Sequence, residues 1–371
     1  MKTRLSIWMH GGIGTGHYAQ GLPTLEMLLN RLSENFDLVI YSHRAPNAGY
    51  HSQHFAIRTA PKYVTPNIFR WLYLVKFFIK DHFKKRFDLV FSFWGYPAGF
   101  MIVGLGKLFG LRSIVYLLGA DAVGIPSIRY GILLNSFHRA LAFWAYRKAS
   151  CLLALTKFQK HQLLNYGFNH PMQIIPWGTD LSLFPFNPQP KNSPWHFIHV
   201  GHHAPVKDQV TLLKAFERIL RRQPAKLRIF GGDDLNGSLQ QAAKELRIDQ
   251  YVEFLGMVPY QEMPHHYAWA HGMLHTSLSE GQCGALTEAA ASGILMAGTN
   301  VGLLFDLGED YAIRVEAGNF EELADKVLKA IENPESWNDK IHAARNWSDK
   351  HDLTWTTRTL TELINTLVKK A

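Results

Sequence analysis

A chain of 371 residues exceeds the usual size of one hydrophobic core, so two domains are expected. With 47% hydrophobic and 19% charged residues it is a folded chain, and its longest apolar runs, such as SIVYLLGA (Ser113–Ala120), are too short to span a bilayer. The net charge of +9 is unevenly placed: residues 1–170 carry +14 and the remainder −5, so the two halves are expected to face different partners.

The N-terminal MKTRLSIWMHGG reads as a first strand and not as a leader, because its apolar run is short and no cleavage pattern follows. The strand runs into the glycine loop GGIGTG (Gly11–Gly16), then PTLEMLLNRLSENF has helical spacing and DLVIYSH is a second strand. Phe69–Phe87, FRWLYLVKFFIKDHFKKRF, interleaves Lys and Arg with aromatics, the pattern of a helix lying on an anionic membrane surface or of a core helix with snorkelling lysines. FDLVFSFWGYP and RSIVYLLGAD follow as continuous apolar strands of the kind buried in a parallel sheet. Around residues 176–195, PWGTDLSLFPFNPQPKNSP is rich in proline and turn formers and marks a linker. Alternation then resumes with WHFIHVG, DQVTLLKAFERILRR, AKLRIFGG, SLQQAAKELRI and YVEFLG, and the chain closes on the helical TWTTRTLTELINTLVKKA. The expected architecture is α/β: an N-terminal Rossmann-like domain over 1–178, a linker over 179–195, a second Rossmann-like domain over 196–352 and a helix over 353–371.

Only Cys151 and Cys283 are present, which argues against a disulfide framework and for a reducing, cytoplasmic setting. No D-x-D occurs, so the commonest carboxylate frame for a metal-bridged diphosphate is missing. His265, His266 and His271 of HHYAWAH imitate a metal cluster but are expected to be solvated or packing residues. The glycine loop is not a dinucleotide fingerprint, because His17 stands where G-x-G-x-x-G needs its last glycine; an oxidoreductase is therefore poorly supported.

The most informative stretch is SEGQCGALTEA (Ser279–Ala289), which places Glu280 and Glu288 around a glycine-bearing turn into an alanine-rich helix. Amides of Gln282, Cys283, Gly284 and Ala285 at such a turn favour an anion. The two carboxylates suit hydroxyls. One partner rich in both phosphate and hydroxyl is a nucleotide sugar.

The spacing resembles the E-x7-E motif of glycosyltransferase family 4, retaining enzymes of the GT-B fold. PWGTDLSLF, with Gly178 and Asp180, HVGHHAPVKDQVTLLKAF, LRIFGGD, VEFLGMVPYQEMPHHYAWA and EGQCGALTEAAASGILMAGTNVG resemble the family's successive segments in order. The resemblance implies two facing Rossmann-like domains, with the terminal helix packing back on the first. It implies that Glu280 binds the transferred sugar, Glu288 the ribose, and that Lys207 pairs with the diphosphate held near Gly281, Cys283, Gly284 and Ala285. Gly14 or Gly16 would abut the donor from the N-terminal loop, with His202, Gly231 and Met257 lining the donor site. Asp121, in LLGAD, would contact the reacting centre, and FWGYP (Phe93–Pro97) would lie near the acceptor.

The chain departs from the family pattern in two places. His202 and His203 stand where an arginine is usual, and Leu118 replaces a histidine, with Gly119 and Asp121 retained. The implied activity is hexosyl transfer from a nucleotide-diphosphate sugar to a glycan or lipid-linked glycan, by a front-face route without metal or other cofactor. The departures leave open a non-catalytic sugar-nucleotide-binding protein of the same fold. The basic N-terminal half is expected to give weak contact with the inner face of the cell membrane through residues 69–87, and nucleic acid is not an expected partner.

Overall fold

The computed structural model describes residues 2–61, 63–65, 67–190 and 192–369. The chain divides into two compact units, one built from residues 1–155, 159–176 and 354–371 and the other from 156–158 and 177–353.

The first unit is a seven-stranded parallel sheet of β1 (Thr3–Met9), β2 (Phe36–Ser42), β3 (Ala56–Arg58), β4 (Leu89–Phe93), β5 (Arg112–Leu117), β6 (Cys151–Ala154) and β7 (Gln173–Ile174), in the order β3-β2-β1-β4-β5-β6-β7. β4, sequence LVFSF, is buried at every position, as a strand covered on both faces must be. Helices α1 (Pro23–Asn35), α2 (Asn67–Lys84), α3 (Phe100–Phe109), α4 (Ser136–Lys148) and α5 (Lys157–Asn165) connect the strands. The charged, aromatic segment over 69–87 folds as α2 as far as Lys84. Trp71, Leu74 and Phe78 are buried in the core, whereas Ile68, Phe69, Leu72 and Phe83 are at least half exposed.

The second unit is a six-stranded parallel sheet of β8 (Trp195–Val200), β9 (Ala225–Phe230), β10 (Val252–Gly256), β11 (Gly272–His275), β12 (Leu295–Thr299) and β13 (Ile313–Val315), ordered β10-β9-β8-β11-β12-β13. Helix α6 (Gln209–Leu220) shows how the sequence builds this unit: Leu212, Leu213, Phe216 and Ile219 recur at helical spacing and are all buried against the sheet. Further helices are α7 (Ser238–Glu245), α8 (Met263–Trp269), α9 (Gly284–Ser292), α10 (Gly302–Leu307), α11 (Phe320–Glu332) and α12 (Ser336–Lys350). The closing helix, α13 (Leu353–Lys369), lies in the first unit from Thr354 onward, as the resemblance implied.

Both sheets reverse their winding once, between β1 and β4 in the first and between β8 and β11 in the second. Loops leaving such neighbouring strands diverge and open a crevice at the carboxyl ends, which is where ligands of open α/β sheets bind. The strand-end loops of the second unit are packed to backbone contact. Gly231 has φ +128°, and a Cβ there would stand 2.2 Å from the Gly201 carbonyl oxygen. Gly231→Ala is therefore expected to destabilise this unit by roughly 3 kcal/mol, from strain and overlap together. An unchanged thermal midpoint would refute that packing argument.

Candidate functional site

The crevice of the second unit is formed by the loop after β8 and the loop after β11, and hydrogen bonds sew the two together. Leu278 N–H donates to the Val206 carbonyl at 2.8 Å, and Thr276 Oγ1 donates to the carbonyls of Lys207 (3.1 Å) and Asp208 (3.0 Å). The Ser277 carbonyl accepts from Thr299 Oγ1 at 2.6 Å, which anchors the second loop to β12. This stitching brings together two residues 73 positions apart in sequence: Lys207 Nζ donates to Glu280 Oε1 at 2.5 Å. Ser277 Oγ donates to the same oxygen at 2.6 Å. Burial alone would raise the Glu280 pKa, but Lys207, His275 and the Ser277 hydroxyl outweigh it and hold the carboxyl below its usual value. Glu280 is thus ionised beside a cation.

After Glu280 the chain turns into α9 at Gly284, with Cys283 in the left-handed region (φ +74°) and no side chain capping the helix. The first amides of α9 are thus without a side-chain cap. Surrounding groups fix the turn. Gln282 accepts from Trp177 N–H (2.8 Å) and donates to the Trp177 carbonyl (2.6 Å), and Thr156 Oγ1 donates to the Gly281 carbonyl at 2.7 Å. Burial, then the Glu280 charge, pushes the Cys283 thiol up to about 12, so it is protonated at neutral pH.

Glu288 lies one turn into α9 and is only 5% exposed. Tyr260 Oη donates to its Oε1 at 2.9 Å and Tyr267 Oη to its Oε2 at 2.7 Å. Phe184 packs edge-on against both tyrosine rings, with centroids 5.7 and 5.6 Å away. Burial pushes the Glu288 carboxyl up to about 7 despite the two tyrosine donors. Each oxygen retains a second lone pair for a hydroxyl.

His202 and His203, which stand where the family usually has an arginine, differ in their surroundings. His203 points inward at 1% exposure, edge-on to Phe254 and 3.5 Å from Asp233, and burial lowers its pKa. His202 is exposed; its carbonyl accepts from Gln209 Nε2 at 2.8 Å, and its Nδ1 stands 2.9 Å from where a Cβ on Gly232 would lie. The same point is 3.9 Å from Met257 Cγ, so His202, Gly231 and Met257 gather at the ends of β8, β9 and β10. His199 and His275 are fully buried and neutral, lowered by burial to about 3 and about 4. His266 and His271 are packing residues, against Phe230 (ring centroids 4.6 Å) and hydrogen-bonded to Pro190 O and His196 N respectively.

In the first unit, Gly14 and Gly16 lie on the loop after β1, held by Asn47, whose N–H and Nδ2 donate to their carbonyls at 2.7 Å each. Gly14 is compulsory, because a Cβ there would lie 2.3 Å from the Tyr50 ring; Gly16 has open space around it. Asp121, open in the sequence to a polar contact near the reacting centre or to capping a turn, is placed among backbone amides. Its side chain is 1% exposed and accepts from Gly95 N–H (2.7 Å), Gly119 N–H (2.7 Å) and Leu118 N–H (3.2 Å). It braces the loops after β4 and β5, a role of position. Burial raises its pKa, with the amide donors opposing. Asp121→Asn turns an amide NH2 towards some of those N–H donors and is expected to cost on the order of 2 kcal/mol, read as a lower urea midpoint.

Sequence reasoning missed Tyr260, Tyr267, Ser277 and His275. Ser277 and His275 could have been found as the residues just before Glu280 on the strand–loop that presents it. The tyrosines, 28 and 21 positions from Glu288, leave no spacing signal.

Two Rossmann-like parallel-sheet units in one chain define the GT-B fold class. The pattern described as Glycosyl transferases group 1 matches residues 183–347, and that described as Glycosyltransferase Family 4 matches residues 24–183. Together the two patterns span residues 24–347, and the chain is a glycosyltransferase of the GT-B fold. It is 23% identical over 256 residues to the O-antigen chain mannosyltransferase B of Escherichia coli, across 63% of this chain and 64% of that one. The alignment thus spans less than two thirds of the length of this curated relative. Among solved structures it resembles sucrose-phosphate synthase from Thermosynechococcus elongatus (TM-score 0.84, 18% identity, 100% of both chains). It also resembles the Anabaena protein HepE in complex with UDP-glucose (TM-score 0.77, 15% identity, 98% of this chain and 99% of that one).

Proposed function

We propose that this protein is a retaining glycosyltransferase that moves a hexose from a nucleotide-diphosphate sugar to a glycan or lipid-linked glycan acceptor. The observation that carries the reading is the Lys207–Glu280 pair at the β8/β11 switch point, beside the open start of α9 and one helical turn from Glu288. The UDP-glucose bound to HepE, a protein of the same fold, supports a donor of this class.

In this reading the diphosphate sits at the α9 start near Gly281–Ala285, Glu288 accepts from the ribose hydroxyls, and Glu280 accepts from the hexose. Lys207 and the helix amides face the negative charge that grows on the diphosphate as the glycosidic bond opens. A diphosphate oxygen takes the acceptor proton on the same face, so the configuration is retained and neither a covalent nucleophile nor a metal is needed. The Asp121-braced loops of the first unit serve the acceptor.

Titration calorimetry with UDP, GDP and ADP in EDTA tests the donor site. Tight binding of one nucleotide, lost in Glu288→Ala, is the expected result; binding of none would overturn the reading. Proton NMR of the product's anomeric signal then tests retention.

The acceptor reading extends to a membrane surface. Ile68, Phe69, Leu72 and Phe83 of α2 are exposed beside exposed Lys76, Lys80 and Lys84, and no helix among the described residues is long and apolar enough to cross a bilayer. The protein is expected to float with anionic vesicles at low salt and to release at high salt. Indifference to anionic lipid at low salt would remove the membrane from the proposal.

A further inference from the structure

We propose that His275, Glu280 and Cys283 form a binding site for a thiophilic divalent cation of the zinc class, exclusive with the Lys207–Glu280 ion pair. The three side chains each offer one ligand atom, and these atoms lie within 4.8 Å of one another. His275 is fully buried, and its Nε2 makes no hydrogen bond although it stands 3.5 Å from Glu280 Oε1. On the other side of the ring, Cys283 Sγ lies 3.9 Å from Nδ1. A nitrogen, a carboxylate oxygen and a sulfur are the donor set of a zinc-type ion, whose tetrahedral ligand atoms sit roughly 3.3–3.6 Å apart. The ion takes one ring nitrogen, so the ligand on the far side of the ring has to move in from within 4.8 Å to reach that geometry.

The backbone favours the site. Cys283 is held at φ +74° between the clamped Gln282 and the start of α9, and His275 is fixed at the end of β11, so two of the ligands are preorganised. Three protein ligands leave the fourth position to water. On binding, the Cys283 thiol gives its proton to solvent and its sulfur forms the metal bond, while the Lys207 ammonium leaves Glu280 Oε1 as the metal–oxygen bond forms. The cation thus takes the place of a resident positive charge.

This site stands on its three ligands alone. Its consequence, that the cation withdraws Glu280 and Lys207 from a nucleotide sugar and so inhibits transfer, rests on the donor-site reading above.

Cobalt(II) is the probe, added to the purified full chain and followed by the thiolate-to-cobalt charge-transfer absorption and by calorimetry. The expected result is one equivalent bound with that absorption, both lost in the near-isosteric Cys283→Ser and in His275→Gln. Lys207→Met, which removes the competing charge, is expected to tighten binding roughly tenfold. Near-ultraviolet circular dichroism shows whether each variant is folded, and Cys283→Ser decides the matter if His275→Gln is not. Absence of binding, binding without the charge-transfer absorption, or absorption that survives in Cys283→Ser overturns the proposal. Nucleotide titration in EDTA separates the two readings: cobalt bound at these ligands in a protein that binds no nucleotide would leave the metal site standing and end its inhibitory meaning.

Discussion

Lys207→Met is expected to lower the rate of sugar transfer by roughly a hundred- to a thousandfold, the usual consequence of removing one preorganised group that faces developing charge. The same change leaves Glu280, whose side chain is 11% exposed, with Ser277 as its remaining short hydrogen bond and no cation against it. Breaking a buried pair from one side costs on the order of 3 kcal/mol, so the variant is also expected to lose stability. The pH dependence separates the two losses. In the native protein the Glu280 pKa is held below its unfolded value, so its contribution is present above the unfolded pKa and is lost as pH falls through the folded one. Without Lys207 burial dominates, the folded pKa rises, and the stability deficit of the variant should shrink as pH is lowered and Glu280 takes a proton. Lys207→Met/Glu280→Gln should recover the melting temperature at neutral pH without recovering transfer. A double variant as unstable as the single one would show that the pair is not the source of the loss.

Glu288→Gln is expected to weaken nucleotide binding about a hundredfold and, at pH 8, to make the protein more stable than the native form. In the proposed function, the binding loss follows from replacing a charged acceptor of ribose hydroxyls by a neutral amide. The stability gain follows from burial. An acid whose pKa rises to about 7 on folding, from an ordinary 4.5, is bound to its proton more tightly in the folded state. Native stability therefore falls as pH climbs from the unfolded pKa to the folded one, and above pH 7 the full penalty, on the order of 3 kcal/mol, is in place. Glutamine carries no such penalty. Melting curves of both proteins at pH 6 and pH 8 test the sign: the variant should gain ground on the native form with rising pH, while native nucleotide affinity rises over the same interval. Parallel pH profiles would mean that Glu288 is not the buried acid the geometry describes.

Most of the architecture was legible because parallel strands buried on both faces leave unbroken apolar runs, as in FDLVFSF and GILMAGT. The short edge strands β3 and β7, of three and two residues, were not legible, since neither carries enough periodicity to stand apart from a loop. In the site, Glu280, Glu288 and the turn between them were legible because backbone geometry and residue type coincide within eleven residues. The partners that set their chemistry come from distant segments: Tyr260 and Tyr267 reach Glu288 from α8 and the turn before it, and Lys207 reaches Glu280 across the sheet's switch point. Such pairings depend on strand order. Asp121 illustrates another case, a residue whose place in a motif suited substrate contact and turn capping alike, while its depth among the backbone amides of two loops is a tertiary property that the sequence does not carry.

Residues 354–371, remote in sequence from the rest of the first unit, complete it. Leu360 and Ile364 are fully buried there, Thr356 Oγ1 donates to the Pro176 carbonyl at 2.9 Å, and Arg31 donates to Thr354 Oγ1 at 2.8 Å. A ribosome delivers these residues after every part of the second unit. The N-terminal sheet, though translated first, must wait with part of its apolar cover missing while roughly 180 further residues emerge, and the later-made unit can close before the earlier one is whole. Deleting the codons for α13 would therefore damage the half of the protein that is translated earliest.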